Sequence, residues 1–285
     1  MKASDPRGSV QEFDTNWRLR REAKNTYWTK GRPSNQIQLA FQSHWRLFSE
    51  LLGDRGGRCL EVGCGRGSIS SYFAENGYDC TLLDYSISVL ETAKEIFDNN
   101  GHQAIFVAGD ANQLPFVDES FNVVVSIGLL EHFQDINTVL AEQVRILRPG
   151  GMFLGYIVPE QPENVQRHYR LVNTILKSAG RLFGPAKAPG VQKAQVYRSD
   201  FGSPRYLAVL EEQPVCDVQV MGVYPLPMIS HSPEFPFSLL PKPLERVLTL
   251  IFEAVLWLRR RLYGRNPWIC DEAFGQSFLV TCKRH

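Results

Sequence analysis

The stretch Arg58-Cys59-Leu60-Glu61-Val62-Gly63-Cys64-Gly65-Arg66-Gly67-Ser68 decides the fold. Cys59 to Val62 is a short apolar run around one acid and reads as a buried strand. It runs directly into three glycines at alternate positions, with a helical pattern beginning at Ser68. Glycines at a strand-to-helix turn permit positive φ and let a ligand lie against bare backbone. The pattern is GxGxG, and Ser68 stands where a dinucleotide fingerprint has its third glycine. No Gly-Lys-Ser/Thr follows, so a Walker-type phosphate loop is excluded.

Working outward, residues 68–76 predict a helix closed by Gly77, 78–84 a strand, and 87–99 a helix ended by Asn100-Gly101. Strands follow at 104–107 and at 121–127, the latter near-continuous in Val and Ile as suits burial on both faces. Residues 136–147 predict a helix that stops at Pro149-Gly150-Gly151, and 152–158 a fifth strand. Upstream, Ile37, Phe41, Trp45, Phe48 and Leu52 recur at helical spacing over 36–52. Strands alternating with helices imply right-handed parallel crossovers. The expected class is α/β, a doubly wound, Rossmann-like sheet with helices on both faces.

The second half is less regular. Residues 161–178 and 203–212 predict helices, 215–224 a strand, 244–262 a strong helix and 277–283 a final strand, with a Gly/Pro/Lys loop at 180–190 and a proline-rich stretch at 225–243. There is no internal repeat and no composition break. A single domain over 1–285 is expected, with a helical stretch in 1–50, a core around the glycine loop in 51–160 and a less regular half in 161–285 that carries an inserted helical segment, 225–268.

Composition sets the outer bounds. The chain of 285 residues is 44% apolar and 21% charged, enough for a sizeable core. Lys and Arg number 31 against 30 acids, a net charge of +1, so no nucleic-acid partner is expected from the whole-chain charge. The six cysteines form no CxxC pair and no zinc-finger spacing, and no Asp/His/Glu cluster suggests a metal. Met1 to Val10 is polar, without a secretory pattern, and the apolar run from Leu248 to Leu258 is too short to span a bilayer, which points to a cytoplasmic protein.

The glycine loop has companions. Asp84 ends the second strand about 20 residues past the loop, where an acid can accept two hydrogen bonds from a ribose diol. Asp110 follows the third strand and can accept from an exocyclic amine of adenine. Considered alone, Asp84 could be a helix cap and Asp110 a turn residue. All these positions lie at the carboxyl edge of the sheet, where open α/β folds bind ligands. Three acids and no phosphate-binding lysine suit a ligand with adenosine and positive charge but no phosphate.

With these residues in place, the chain resembles the class I S-adenosylmethionine-dependent methyltransferases, in particular the subgroup acting on small molecules, quinones, lipids and sugars. The matching stretches are LEVGCGRGSIS, LLDYS, GDANQLPF, DESFNVVVSIGLLEHF and LRPGG, in family order over 58–158. Asn122 departs from the family's usual Asp. The resemblance implies a seven-stranded, mostly parallel sheet with an antiparallel last strand, and S-adenosyl-L-methionine as cofactor. It implies that Gly63, Cys64, Gly65 and Gly67 cradle the methionine end while Glu61 orders the loop or meets the amino group. Asp84 and Tyr85 fall at the ribose, Asp110 and Ala111 at the adenine, and Ser126, Ile127 and Gly128 beside the sulfonium. Tyr27 with Trp28 either closes over the cofactor or simply packs. His132 is the candidate general base; a shared scaffold role for the Glu131-His132 pair is the competing reading. His168 and Tyr169 read as a solvated helix face, and His231 carries no assignment.

The last long helix is the feature that bears on the class of acceptor. Glu245, Thr249, Glu253 and Arg260 make a narrow polar stripe on it, a much wider apolar surface fills the rest, and Arg259-Arg260-Arg261 follow at its end. A small-molecule or lipid-like methyl acceptor is expected, with a peripheral membrane contact from Leu244 to Arg261, or a lid, or packing on the sheet or on a second copy. The alternatives to methyl transfer are a non-catalytic cofactor-binding protein, an RNA methyltransferase and, more remotely, a nicotinamide dehydrogenase. SIGLLEHF stands where amino-methylating members carry an Asn/Asp-Pro-Pro-aromatic motif, which disfavours nucleic-acid bases.

Overall fold

The structure is a computed structural model that describes residues 27–54, 56–160, 164–169, 171, 174–175, 197–229 and 240–285. The strands are β1 (Arg58–Val62), β2 (Asp79–Asp84), β3 (Ala104–Ala108), β4 (Phe121–Ile127), β5 (Leu147–Ile157), β6 (Val215–Val223), β7 (Ile269–Cys270) and β8 (Ser277–Arg284). They form one sheet in the order β3-β2-β1-β4-β5-β8-β6-β7. The first five are mutually parallel; β8 runs antiparallel between β5 and β6, and β7 pairs antiparallel with β6. The expected sheet is present with one strand more, because β7 has only two residues and so no periodicity to read.

The order reverses direction at β1, with β2 on one side and β4 on the other. That switch point opens a crevice at the carboxyl ends of both strands, and the glycine loop lies in it. Among the described residues six α-helices cover the sheet: α1 (Gln36–Leu52), α2 (Ser68–Glu75), α3 (Ile87–Asn99), α4 (Ile136–Arg145), α5 (Ser203–Leu210) and α6 (Lys242–Tyr263). Three have side-chain caps of the usual type, from Asn35, Ser86 and Asp135. Side chains alternate across each strand, so the apolar residues divide into two clusters. One joins α1, α2, α3 and the inner side of α6; the other joins α4 and α5.

Two boundaries differ from expectation. α4 ends at Arg145, and β5 begins at Leu147 rather than 152. Phe121 pairs with Leu147, then Val123 with Met152, so Pro149-Gly150-Gly151 is absorbed as an irregularity inside the strand instead of preceding it. In 161–178 the described residues hold a short 3-10 turn, Val165–Tyr169, followed by α-helical positions at 171, 174 and 175, as the helical pattern there predicts. The 180–190 loop, the His168 side chain and His231 lie outside the described residues.

Candidate functional site

Gly63, Gly65 and Gly67 all have positive φ, +70°, +52° and +65°. A Cβ on Gly63 would lie 2.7 Å from a Leu129 methyl, and one on Gly67 2.5 Å from Leu82 and 2.9 Å from Phe97. Conformation and space both require glycine there. The loop is pinned from β2: the Gly63 and Cys64 N–H groups donate to the Leu83 carbonyl at 2.8 and 2.9 Å. Gly65 N–H donates to Asp84 Oδ2 at 3.0 Å. Asp84 Oδ1 accepts from Ser86 N–H at 3.0 Å. Asp84 therefore ties the loop to the start of α3, a structural duty that leaves each carboxylate oxygen further lone-pair capacity.

Glu61 points inward beneath the loop and is 4% exposed. Its Oε2 accepts from Ser70 Oγ at 2.5 Å and from Ser70 N–H at 3.2 Å, in the first turn of α2. Burial pushes its carboxyl from 4.5 up to about 8; the Ser70 hydrogen bonds oppose this and the Asp84 charge adds to it. Burial also raises the Cys64 thiol well above its ordinary value, so it stays protonated and is no nucleophile.

Further along the edge, Asp110 Oδ1 accepts from both the backbone and the side-chain N–H of Asn112 at 2.8 and 2.9 Å. It stands as an Asx turn at the mouth of the crevice, with Ala111 buried behind it. Tyr85, beside Asp84, is 58% exposed. At the end of β4, Ser126 is buried with its hydroxyl unbonded among the described residues. Gly128 has φ +64° and donates to the Tyr156 carbonyl at 2.9 Å.

Leu130–His132 form a 3-10 turn that carries the acid–histidine pair. His132 Nδ1 lies 2.6 Å from the Tyr197 carbonyl, a contact that needs the proton on Nδ1. Desolvation lowers His132 to about 4, so it is neutral at pH 7 and a weak base. Glu131 is fully buried, and neither carboxylate oxygen makes a hydrogen bond of good geometry. Burial drives it from 4.5 to about 7, against the pull of Arg198 and nearby backbone N–H groups. Its backbone carbonyl accepts from Ser199 N–H at 2.7 Å, so the 197–199 segment is strapped to the end of β4 at both members of the pair. Sequence reading assigns Glu131 only a share in the pair's scaffold role and not its burial, because a 3-10 turn has too few residues for periodicity to show which side faces inward.

Tyr27 is buried, stacked on Phe41 at 5.2 Å, and Arg66 of the glycine loop lies 5.8 Å above its ring. Trp28 packs edge-on against His102 and Tyr72. Tyr27 thus reaches the loop through Arg66, while Trp28 serves packing. Ser70 and Arg66, both buried, are the site-forming residues that motif spacing did not single out. Among the described residues no group of His, Cys, Asp and Glu could hold a metal. A cavity of about 580 Å³ lies elsewhere, between α1 and α6, lined by Arg46, Glu50, Trp257 and Arg260 among others.

A positive-φ glycine cradle, two acids at successive strand ends and a buried acid under the loop fit a cationic, adenosine-bearing cofactor. Comparison with known proteins agrees. The family model described as "Methyltransferase domain" matches residues 60–155. An O-methyltransferase of Aspergillus nomiae is 31% identical over 156 residues, which cover 51% of this chain and 68% of that protein. The chain belongs to the class I S-adenosylmethionine-dependent methyltransferases. S-adenosylmethionine is the cofactor expected of this family. A sterol 4-C-methyltransferase of Caenorhabditis elegans is 27% identical over 142 residues, 48% of this chain and 42% of that one. The chain therefore spans less than half the length of that methyltransferase. Among solved structures, the [4+2]-cyclase SpnF superposes with a TM-score of 0.56 over 96% of this chain and 94% of its own, at 17% identity. That likeness concerns the fold alone, and it shows a methyltransferase-type fold hosting a different chemistry.

Proposed function

We propose that the protein transfers a methyl group from S-adenosylmethionine to a small or lipid-like acceptor. The observation that carries this is the Gly63–Gly67 cradle closed by Asp84 and underlain by Glu61. When bound, the cofactor supplies an activated methyl group on a sulfonium. The chain supplies the rest. Gly63, Cys64, Gly65 and Gly67 present backbone to the methionine end. Asp84, beside Tyr85, receives the ribose diol, and Asp110 with Ala111 receives the adenine. Ser126, Ile127 and Gly128 line the place of displacement, and Tyr27 with Arg66 covers the loop. A cationic amino group near Glu61 would draw its carboxyl back towards the charged form, with release of a proton. In-line displacement needs little covalent help from the protein beyond alignment and a dry site.

His132 holds Tyr197 and so positions the acceptor side; as a base it would act only on an acceptor that is readily deprotonated. Residues 51–160 hold the cofactor, 1–50 cover it and 161–285 meet the acceptor. Whether that acceptor is met in solution or at a lipid surface turns on α6.

Calorimetry with S-adenosylmethionine and with NAD tests the reading. Binding of the first and not the second is expected, and the reverse would sink it. Asp84→Ala should weaken binding by about 1–3 kcal/mol, the range for lost hydrogen bonds to a charged acceptor. A product heavier by one CH₂ should appear by mass spectrometry in a metabolite and lipid extract incubated with protein and cofactor. Tight binding with no product in any extract leaves a binding protein only.

A further inference from the structure

The amphipathic helix α6 sits in the fold inside out. The seam that packs against the protein is Glu245, Thr249, Phe252 and Leu256, two of them polar. Glu245 accepts from the Gln36 backbone N–H at 3.0 Å and from its side chain at 3.1 Å. Glu253 is paired with Arg32 at 2.7 Å. The opposite seam, at three- and four-residue steps, is Leu244, Val247, Ile251, Val255, Leu258 and Leu262, all exposed, with Ile251 at 52% and Leu262 at 69%. Leu250 and Trp257 flank it, Trp257 at 61%. Water is a poor neighbour for a continuous apolar stripe of about five turns, and such a face marks an interaction site.

Charge chooses the partner. Residues 242–265 carry Lys242, Arg246, Arg259, Arg260, Arg261 and Arg265 against Glu245 and Glu253, a net +4 in a chain of net +1. Glu245 is buried and Glu253 is held by Arg32 at the edge of the packed side, so what the helix offers outward is apolar surface rimmed by cations. A second copy of α6 laid on this face, parallel or antiparallel, would set those cations against each other with no carboxylate to answer. At the C-terminal end Arg261 lies 5.3 Å over Trp257, and Tyr263 sits between Arg259 and Arg265 at 5.4 and 6.0 Å. Arg259 is turned to the Pro267 and Ile269 carbonyls at 3.1 Å each, whereas Trp257 and Tyr263 beside the exposed Arg261 and Arg265 match the rings and snorkelling cations of a water–lipid boundary. The helix is not apolar enough to cross a membrane: among the described residues none is.

We propose that α6 docks this protein flat on an anionic lipid surface, with the Leu244–Leu262 seam at the acyl boundary and the arginines at the head groups. This deepens the lipid-like acceptor reading by naming where the acceptor is met, but it stands on α6 alone.

The test is co-sedimentation of the full chain with phosphatidylcholine vesicles, with and without phosphatidylglycerol. The wild-type chain should bind the anionic vesicles, more weakly at high salt, and bind neutral ones poorly. Ile251→Glu with Leu258→Glu should weaken anionic binding by at least about tenfold, with thermal unfolding and S-adenosylmethionine affinity unchanged. Arg261→Glu should lower binding to anionic vesicles and leave neutral ones unaffected. Failure of the wild type to bind either vesicle overturns the proposal. So does equal binding by the double variant, or a wild-type dimer that the double variant splits while vesicles go unbound. Vesicle binding without cofactor binding would uphold the docking surface and overturn the methyl-transfer reading instead.

Discussion

At the crevice edge the residues that matter stand close together in sequence or at strand ends in fixed register. Glu61 meets Ser70, nine positions on, and Asp84 meets Gly65, 19 positions back. α6 is held by partners much further away: Gln36 at 209 positions, Arg32 at 221, and, just beyond the helix, Asn266 with Glu50 at 216 and Trp268 with His44 at 224. The first region is built from local backbone geometry around a sheet whose register leaves few choices. The second is a docking of one finished helix on another, fixed by a few polar contacts. The crevice should therefore be intolerant of shape changes, and α6 should respond to substitutions on its polar side and ignore them on its apolar side.

The largest effect is expected at the loop. Gly67→Val places a branched side chain at φ +65° against Leu82 and Phe97. A loss of about 2–5 kcal/mol in denaturant unfolding is expected, with cofactor binding abolished. Wild-type stability in this variant would mean the loop does not need its left-handed turn.

Next comes the pH dependence set by Glu61. Its folded value is raised from 4.5 to about 8, so between those values the folded chain holds a proton that the unfolded chain has lost. Stability contributed by this group therefore falls as pH rises through that window, by at most about 1.4 kcal/mol per pH unit. Glu131, raised to about 7, adds to the slope over 4.5 to 7. Glu61→Gln should flatten the wild-type profile between pH 5 and 8 and leave the Glu131 share. An unchanged slope would mean that Glu61 is ionised in the folded chain.

The smaller effects divide α6 itself. Glu245→Ala leaves buried Gln36 donors without their carboxylate and should cost about 1–3 kcal/mol. Leu258→Ser, on the outward seam, should change stability by less than about 0.5 kcal/mol. An apolar residue dispensable for folding and a buried carboxylate that is not would confirm the inversion; equal costs would refute it.

The strands, the crossovers and the crevice acids could be read from the chain because each rests on a short-range pattern. A two- or 3.6-residue period locates an element, and glycine at a strand end announces a turn that only glycine makes. β7 could not be read, since two residues carry no period, and neither could the burial of Glu131 in a three-residue turn. Asp84 was legible as a crevice acid, but not its bonds to Gly65 and Ser86, which depend on where β2 ends beside the loop.

The sequence by itself determined the α/β class, the glycine cradle and the acids that surround it, because local sterics and side-chain period need no knowledge of distant residues. It also determined that α6 is two-sided. Only the tertiary structure decided which side faces in. A period marks a stripe without naming its partner; here Gln36 and Ile229 present hydrogen-bonding groups that Glu245 satisfies directly or through Gln36, and unmet buried polar groups cost more than exposed leucines.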